Sequence, residues 1–224
     1  MSEFYKDQSL YLETKKNISV NTARSYLVMK RAIDIIGSFC GLIVLSILFV
    51  IIAILIKVED PKGRVFFKQL RVGKDGKQFY MYKFRSMASD AEERLKELLA
   101  LNEVSGAMFK MKNDPRVTKI GRFIRKTSID ELPQLLNVLK GDMSLVGPRP
   151  PLPREVDEYT NYDKQRLLVI PGCTGLWQVN GRSNTTFDEM VEMDLQYIKT
   201  RNITLDIKIM IKTVFELFGS KNAY

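Results

Sequence analysis

The hydrophobic pattern is most uneven from Ile35 to Ile56, IIGSFCGLIVLSILFVIIAILI, a run without a single charged residue. About 22 residues rising roughly 1.5 Å each reach about 33 Å, enough to cross the hydrocarbon core of a bilayer. A cleaved signal peptide fits poorly. Glu3, Asp7 and Glu13 precede the run, the run is too long, and no A-x-A site follows it. The alternative is a buried helix of a soluble core. Both flanks are basic, with Arg24, Lys30 and Arg31 before the run and Lys57, Lys62, Arg64, Lys68 and Arg71 after it. Positive residues favour the cytoplasmic side. Two topologies follow: a helix that enters one leaflet, bends and returns, or a plain span with one basic flank outside. Ser46 is the only mid-run break and no proline accompanies it. The matched flanks favour the re-entrant form.

Elsewhere the pattern is shorter in range. Residues 1–22 are polar and aperiodic, which predicts a mobile or surface-lying tail ahead of a membrane-associated segment at 23–60. Residues 61–224 then form one further unit. Arg64–Gln69 and Gln78–Arg85 are rich in Val, Phe and Tyr and flank an Asp75-Gly76 turn signal, predicting a β-hairpin. Ser89, with Glu92 three residues on, predicts a capped helix to about Leu101 with Leu95, Leu98 and Leu99 on its apolar face. A helix from Ser128 to Lys140 closes at Gly141, and Pro148, Pro150, Pro151 and Pro153 then force an irregular loop. Helices are expected at Phe187–Thr200 and Thr204–Phe218. The last carries Ile207, Met210, Ile211, Val214, Phe215 and Phe218 on one side, suited either to a core or to a membrane interface. The class is α+β, mostly helical.

Composition removes whole chemistries. The chain has 224 residues, 45% hydrophobic and 27% charged, which excludes wholesale disorder. It has no histidine. Ser-His-Asp and Cys-His catalysis, HExxH zinc sites and phosphohistidine relays are therefore out. Cys40 and Cys173 stand too far apart in sequence for a zinc knuckle or a disulfide framework. The net charge of +9 points to anionic company. Much of that excess flanks the apolar run and no aromatic–basic platform accompanies it, so a nucleic-acid partner is not expected.

What remains is carboxylates, cations and an oxygen-bound metal. In Arg125-Lys126-Thr127-Ser128-Ile129-Asp130-Glu131-Leu132-Pro133, Ser128 is a suitable N-cap that would place Asp130 and Glu131 in a first helical turn. There the free N–H groups and the dipole would keep a carboxylate ionised. The bland reading is two acids placed for helix stability, with Glu131 closing a capping box. The functional reading rests on charge: Arg125 precedes the pair and Arg149 follows in a rigid Pro148-Arg149-Pro150 loop. An ionised carboxylate can attack phosphorus or ligate Mg²⁺, and Arg forks suit phosphate oxygens. Lys83 and Arg85 alternate with Tyr82 and Phe84 on a strand, a solvated face or a phosphate-facing one. Trp177, Gln178 and Arg182 stand among glycines, lining either a nucleotide or sugar pocket or a core beside a loop.

Together these residues resemble a known family. The block from Asp114 to Pro150, DPRVTKIGRFIRKTSIDELPQLLNVLKGDMSLVGPRP, is similar to the bacterial sugar transferases, monotopic polyprenyl-phosphate phosphoglycosyl transferases. Lys30-Arg31-x-x-Asp34, Tyr82-Lys83-Phe84-Arg85-Ser86-Met87, and Pro171-Gly172 through Gly181-Arg182 match in order, so the resemblance spans about residues 28–218. It implies transfer of a sugar 1-phosphate from a UDP-sugar to undecaprenyl phosphate with release of UMP, the first membrane step of exopolysaccharide or capsule assembly. It implies a covalent phosphosugar–aspartate and a requirement for Mg²⁺. Asp130 would be the nucleophile, Glu131 with Asp130 would hold Mg²⁺, and Arg125, Arg149 and Lys83 would grip phosphates. Pro148 and Pro150 would shape the loop on the nucleotide side. It further implies a re-entrant helix in one leaflet, interfacial amphipathic helices around a cytosolic active site, contact with membrane lipid, and residence on the cytoplasmic face of the bacterial inner membrane. A homo-oligomer is compatible with all of this. The family often breaks its membrane helix at Ser-Pro where this chain has Ser46-Ile47, and the chain resembles a small, catalytic-domain form. The rival is a basic, membrane-anchored scaffold without catalysis, which gives no reason for grouping Arg125, Asp130, Glu131 and Arg149.

Overall fold

The computed structural model describes residues 18–91, 93–94, 114–180 and 185–219. Helices α1 (Arg24–Val44) and α2 (Ser46–Glu59) meet at Leu45 with a bend of 59°. The bend falls at Leu45, one residue before the expected Ser46, without a proline. No single described helix is long and apolar enough to cross a membrane; only the bent pair passes that test by length and composition. The amphipathicity of α1 is inverted. Its buried residues are Tyr26, Lys30, Asp34 and Ser38, spaced four apart on one stripe, while Val28, Ile36, Phe39 and Val44 are exposed. A helix in a water-soluble core buries its apolar stripe and shows its polar one. Of this run, Ile52 and Ile56 are buried in the chain, while Ile36, Phe39, Ile43, Val44, Ile47, Val50 and Ile54 are exposed.

Beyond α2 come strands β1 (Phe66–Val72) and β2 (Gln78–Phe84), antiparallel with Phe66 opposite Phe84 and Val72 opposite Gln78. Asp75 and Gly76 take the positive φ values, 56° and 79°, that the tight connection needs. The order continues with α3 (Lys119–Lys126), a 3₁₀ turn (Ile129–Glu131), α4 (Gln134–Lys140), β3 (Ser144–Val146), α5 (Pro153–Asp157) and a 3₁₀ segment (Asp163–Leu168). It ends with β4 (Gly172–Thr174), α6 (Leu176–Asn180), α7 (Phe187–Thr200) and α8 (Ile203–Gly219). The parallel pair β3–β4, which pattern alone does not announce, brings Gly147 against Gly172. A Cβ on Gly172 would stand 2.0 Å from the Gly147 nitrogen, so the two backbones touch where side chains would forbid it.

A buried polar clamp fastens α1 to this assembly. Lys30 donates to the Val146 carbonyl and to Asp206, both at 2.9 Å. Arg31 donates to the carbonyls of Val138 and Leu139 at the C-terminal end of α4, the end where a cation is favourable. Asp34 accepts from the Ser144 hydroxyl and the Leu145 N–H. At the other end of the pair, Glu59 accepts from the first N–H groups of α3, Lys119 and Ile120, and Asp60 is paired with Arg85. The apolar helices are thus held at both ends by polar contacts to the rest of the chain.

Several expectations need correction. The tail is not wholly loose: Ile18 is buried in the core beside Val146, Leu195 and Ile198, and its N–H donates to Gln165. Ser128 is no N-cap. It sits in the left-handed region at φ 55°, its side chain makes no capping bond, and no capping box forms; Pro133, without an N–H, precedes α4, which begins at Gln134, four residues after Asp130. The proline-rich loop ends at Pro153, which opens α5 at a position that needs no N–H. In α8 the buried face carries Asp206 and Ile209, whereas Ile207, Ile211, Val214 and Phe215 face outward. The helix expected from Ser89 to Leu101 lies mostly outside the described residues, as do Gly181 and Arg182.

Asn137 on α4, fully buried, completes the open edge of β2. It accepts from the Tyr82 N–H at 2.9 Å and donates to the Tyr80 carbonyl at 2.8 Å, as a neighbouring strand would. The hairpin is thereby fixed against the turn that carries Asp130. Asn137→Leu keeps the volume but strands those two backbone groups. It should lower the free energy of unfolding by about 2–4 kcal/mol, read as a fall in thermal midpoint. An unchanged midpoint would show that the clasp is not structural.

Candidate active site

The acid pair sits on a turn rather than at an α-helix N-terminus. Ser128 in the left-handed region aims the 3₁₀ turn, and Ile129 packs against Ile52, Ile56, Phe84 and Ile124, so the turn rests on α2. Asp130 is 8% exposed. Burial pushes its carboxyl up to about 6; Lys83 pulls it down, Glu131 adds to the rise and Arg125 opposes it. This departs from the sequence expectation, since desolvation outweighs the helix dipole that the turn does not provide. Glu131 behaves oppositely. Burial raises it, but the charge and hydrogen bond of Lys83, with Arg149 and Arg71 beyond, hold it below the usual carboxylate range. Two adjacent carboxyls are thus driven apart, one poised near neutrality and one firmly ionised.

Around Glu131 the chain builds a cationic cleft. Lys83 reaches it from β2 with Nζ 2.6 Å from Oε1. Arg71 on β1 shares the face of Lys83, because residues 67, 69 and 71 lie on one face and Phe67 is opposite Lys83. Arg149 and Pro150 close the cleft from the loop after β3, with Gln134, Cys173 and Gln178 along its walls. The loop is rigidly set. Gly147 donates to the Thr174 carbonyl, Gly172 to the Pro148 carbonyl, Val72 to the Pro151 carbonyl, and Arg71 to the Pro150 carbonyl. Pro148 and Pro150 are buried while Arg149 between them is exposed and free to reach a ligand.

Of the residues singled out from sequence, the structure brings Glu131, Lys83, Arg149 and Pro150 to one cleft, with Asp130 beside Glu131 and buried. Arg125 stands behind them. Its Nε donates to the Ser86 hydroxyl at 2.8 Å, so it acts on Asp130 through charge from outside the lining. Arg85 is not a site cation; it holds Asp60. Trp177 lies on α6, one residue before Gln178 of the wall, and its indole N–H is buried without a partner among the described residues. Arg71 was readable only as part of a basic flank. Its signal was the alternation that puts it on the inward face of a strand with Lys83, which requires the hairpin register to be known.

No cluster of three or more acidic or cysteine ligands for a metal occurs among the described residues. Mg²⁺ does not ask for one, because it binds through one or two carboxylates and completes its shell with phosphate and water. Glu131, ionised and half-exposed, with Asp130 adjacent, fits that donor set.

Comparison with known proteins gives the family. Residues 25–220 match the family described as bacterial sugar transferase. The chain is 52% identical over 191 residues to Galactosyl transferase CpsE of Streptococcus agalactiae, covering 85% of this chain and 42% of that protein. It is 43% identical over 228 residues to the undecaprenyl-phosphate galactose phosphotransferase of Salmonella typhimurium, covering 100% of this chain and 47% of that one. It is 40% identical over 205 residues to the UDP-glucose:undecaprenyl-phosphate glucose-1-phosphate transferase of Escherichia coli, covering 88% and 42%. The chain spans less than half the length of these relatives.

The elevated Asp130 has a thermodynamic consequence. Its folded value, about 6 against 3.8, means that the neutral form is favoured on folding, so the associated stability is present below pH 3.8 and lost as pH rises through 6. Asp130→Asn should therefore raise stability at pH 7, by up to about 3 kcal/mol, with the difference fading near pH 4. Parallel denaturant titrations at both pH values measure it; a variant less stable than the parent at pH 7 would contradict the burial argument.

Proposed function

The chain belongs to the bacterial sugar transferase family, and from that premise we propose that it transfers a sugar 1-phosphate from a UDP-sugar to undecaprenyl phosphate, releasing UMP. The observation that carries the reading is the cationic cleft lined by Glu131, Lys83 and Arg149, with buried Asp130 adjacent to Glu131. In the first step an Asp130 carboxylate oxygen forms a bond to the phosphorus that bears the sugar. The bond from that phosphorus to the bridging oxygen breaks, and UMP leaves with the electron pair. In the second step a phosphate oxygen of undecaprenyl phosphate attacks the same phosphorus, the bond to Asp130 breaks, and the carboxylate is restored. Neither step needs a general base, which suits a chain without histidine.

The cations supply electrostatic stabilisation of the crowded phosphates, the largest ordinary contribution to such a reaction. Lys83 and Arg149 bear on the diphosphate, Arg125 holds the charge balance behind Asp130, and the buried prolines keep Arg149 pre-aimed. Glu131, with Asp130, would hold Mg²⁺, whose chemistry there is to neutralise phosphate charge. Relatives named for galactose and for glucose make those two UDP-sugars the first donors to try.

A lipid phosphate must meet the nucleotide at the headgroup boundary, and the chain has a surface for that. The outward apolar faces of the bent α1–α2 pair and of α8 are the surfaces proposed to enter one leaflet, at the cytoplasmic face of the bacterial cell membrane. Because Ile129 packs against Ile52 and Ile56, the Asp130 turn sits on the end of that apolar pair. Bilayer depth and active-site height are then one geometric quantity.

Detergent-solubilised protein with Mg²⁺ and undecaprenyl phosphate should release UMP from one donor of a UDP-sugar panel, and lose that release on chelation. Asp130→Asn should reduce turnover by a factor of 10³ or more, roughly the loss of a covalent nucleophile, while the protein stays folded. The rate should rise about tenfold per pH unit up to pH about 6 and then level, as Asp130 ionises. Normal turnover by Asp130→Asn would sink the covalent mechanism. For the topology, Met29→Cys and Lys62→Cys, each in a background with Cys40 and Cys173 replaced, should both label from the cytoplasmic side only. Labelling of either from outside would make the pair a true span.

A further inference from the structure

Arg71 is a buried cation without a counter-ion. It is 5% exposed, and among the described residues it makes no ion pair. Its terminal nitrogens donate to the Pro150 carbonyl at 2.9 Å and to the Gln69 amide oxygen at 2.7 Å, both uncharged acceptors, and its Nε is buried with no partner. The carboxylates that it feels are engaged elsewhere: Glu131 with Lys83 and Glu155 with the Leu152 N–H. A second guanidinium, Arg149, is close enough to repel it.

Such an arrangement is expensive as it stands. A charge removed from water normally requires a paired opposite charge or a full set of hydrogen bonds, and among the described residues Arg71 has only two uncharged acceptors. The cleft holds Arg71, Lys83 and Arg149 against one lining carboxylate, Glu131. A multiply charged anion between the two guanidiniums would relieve both the repulsion and the missing counter-charge. Held on a strand and tied to the loop backbone, Arg71 is pre-organised for that task and gives up little side-chain freedom on binding.

We infer that Arg71 forms the buried wall of the diphosphate subsite, where its positive charge is neutralised by the phosphates of the bound UDP-sugar. The inference rests on the phosphoglycosyl-transfer reading for the identity of the ligand, but its chemistry is that of any diphosphate. By donating to Pro150, Arg71 also ties the charge to the loop that carries Arg149, so the two guanidiniums approach the anion as a set.

The test uses inorganic pyrophosphate as the probe and the full chain in detergent, without divalent cation, read by calorimetry and by the rise in thermal midpoint. R71Q, which keeps a donor for Pro150 but loses the charge, should bind pyrophosphate about tenfold or more weakly than the parent. R71K, which keeps the charge, should bind within a few-fold of the parent, and K74Q, an exposed site on the hairpin turn, should bind as the parent does. Equal affinity of R71Q and the parent overturns the inference. So does an equal loss in R71K and R71Q, because a retained positive charge would then contribute nothing to binding. Should R71Q fail to fold, R71K decides: pyrophosphate must raise its midpoint as it does the parent's, and no rise overturns the proposal. A parent that binds pyrophosphate through Arg71 yet releases UMP from no UDP-sugar would refute the proposed function and leave this subsite standing.

Discussion

The structure depends on the clamp formed by Lys30, Arg31 and Asp34. Each is a charged group on a helix whose other faces are apolar and exposed, and each is satisfied by backbone or by a buried partner on β3, α4 or α8. Buried charges that are fully hydrogen-bonded fix one arrangement in a way that apolar contact does not, because sliding by one residue would strand them. The clamp therefore sets the register of α1 against β3, α4 and α8. Asp206 extends it, accepting from Tyr26, Lys30 and Tyr197 and joining α1, α7 and α8 through one carboxylate.

From that anchor the site follows by short steps. Arg31 holds the end of α4, Asn137 on α4 holds β2, and β2 presents Lys83 to Glu131. On the other side, β3 leads into the Pro148–Pro150 loop, whose backbone is pinned to β4 and to Arg71. Three cations and two carboxyls from four separate stretches of chain meet because backbone groups, more than side chains, have been tied together. The electrostatics then sort the carboxyls: Glu131, in contact with Lys83, stays ionised, and Asp130, buried and in no ion pair among the described residues, is raised toward neutrality. That arrangement is costly to fold, and it suits the role proposed for Asp130, which needs a carboxylate that is charged but loosely held.

The apolar surface that remains is the counterpart of the clamp. With its polar stripe committed inward, α1 can only turn Val28, Ile36 and Phe39 outward, and α8 likewise buries Asp206 while showing Ile207, Ile211 and Phe215. Exposed apolar faces of this kind suit a surface that something else covers.

Much of this was legible in the chain itself. The missing histidine limits the chemistry, the uncharged run and its basic flanks announce an apolar helix with a break near Ser46, the Asp75-Gly76 turn gives the hairpin, and the ordered motifs give the family. These are local properties, set by residue type and spacing. Tertiary structure decided the rest. Pro133 and the left-handed Ser128 converted an expected helix start into a 3₁₀ turn, so Asp130 is buried and raised instead of dipole-stabilised. Pairing of β3 with β4, too short to read from alternation, brought the proline loop to the hairpin. Arg71 and Arg85 lie 14 positions apart on one hairpin and look alike in sequence, yet one faces the cleft and the other holds Asp60. Which cation meets an anion depends on strand register and on the charges opposite, and neither is a property of the chain taken one segment at a time.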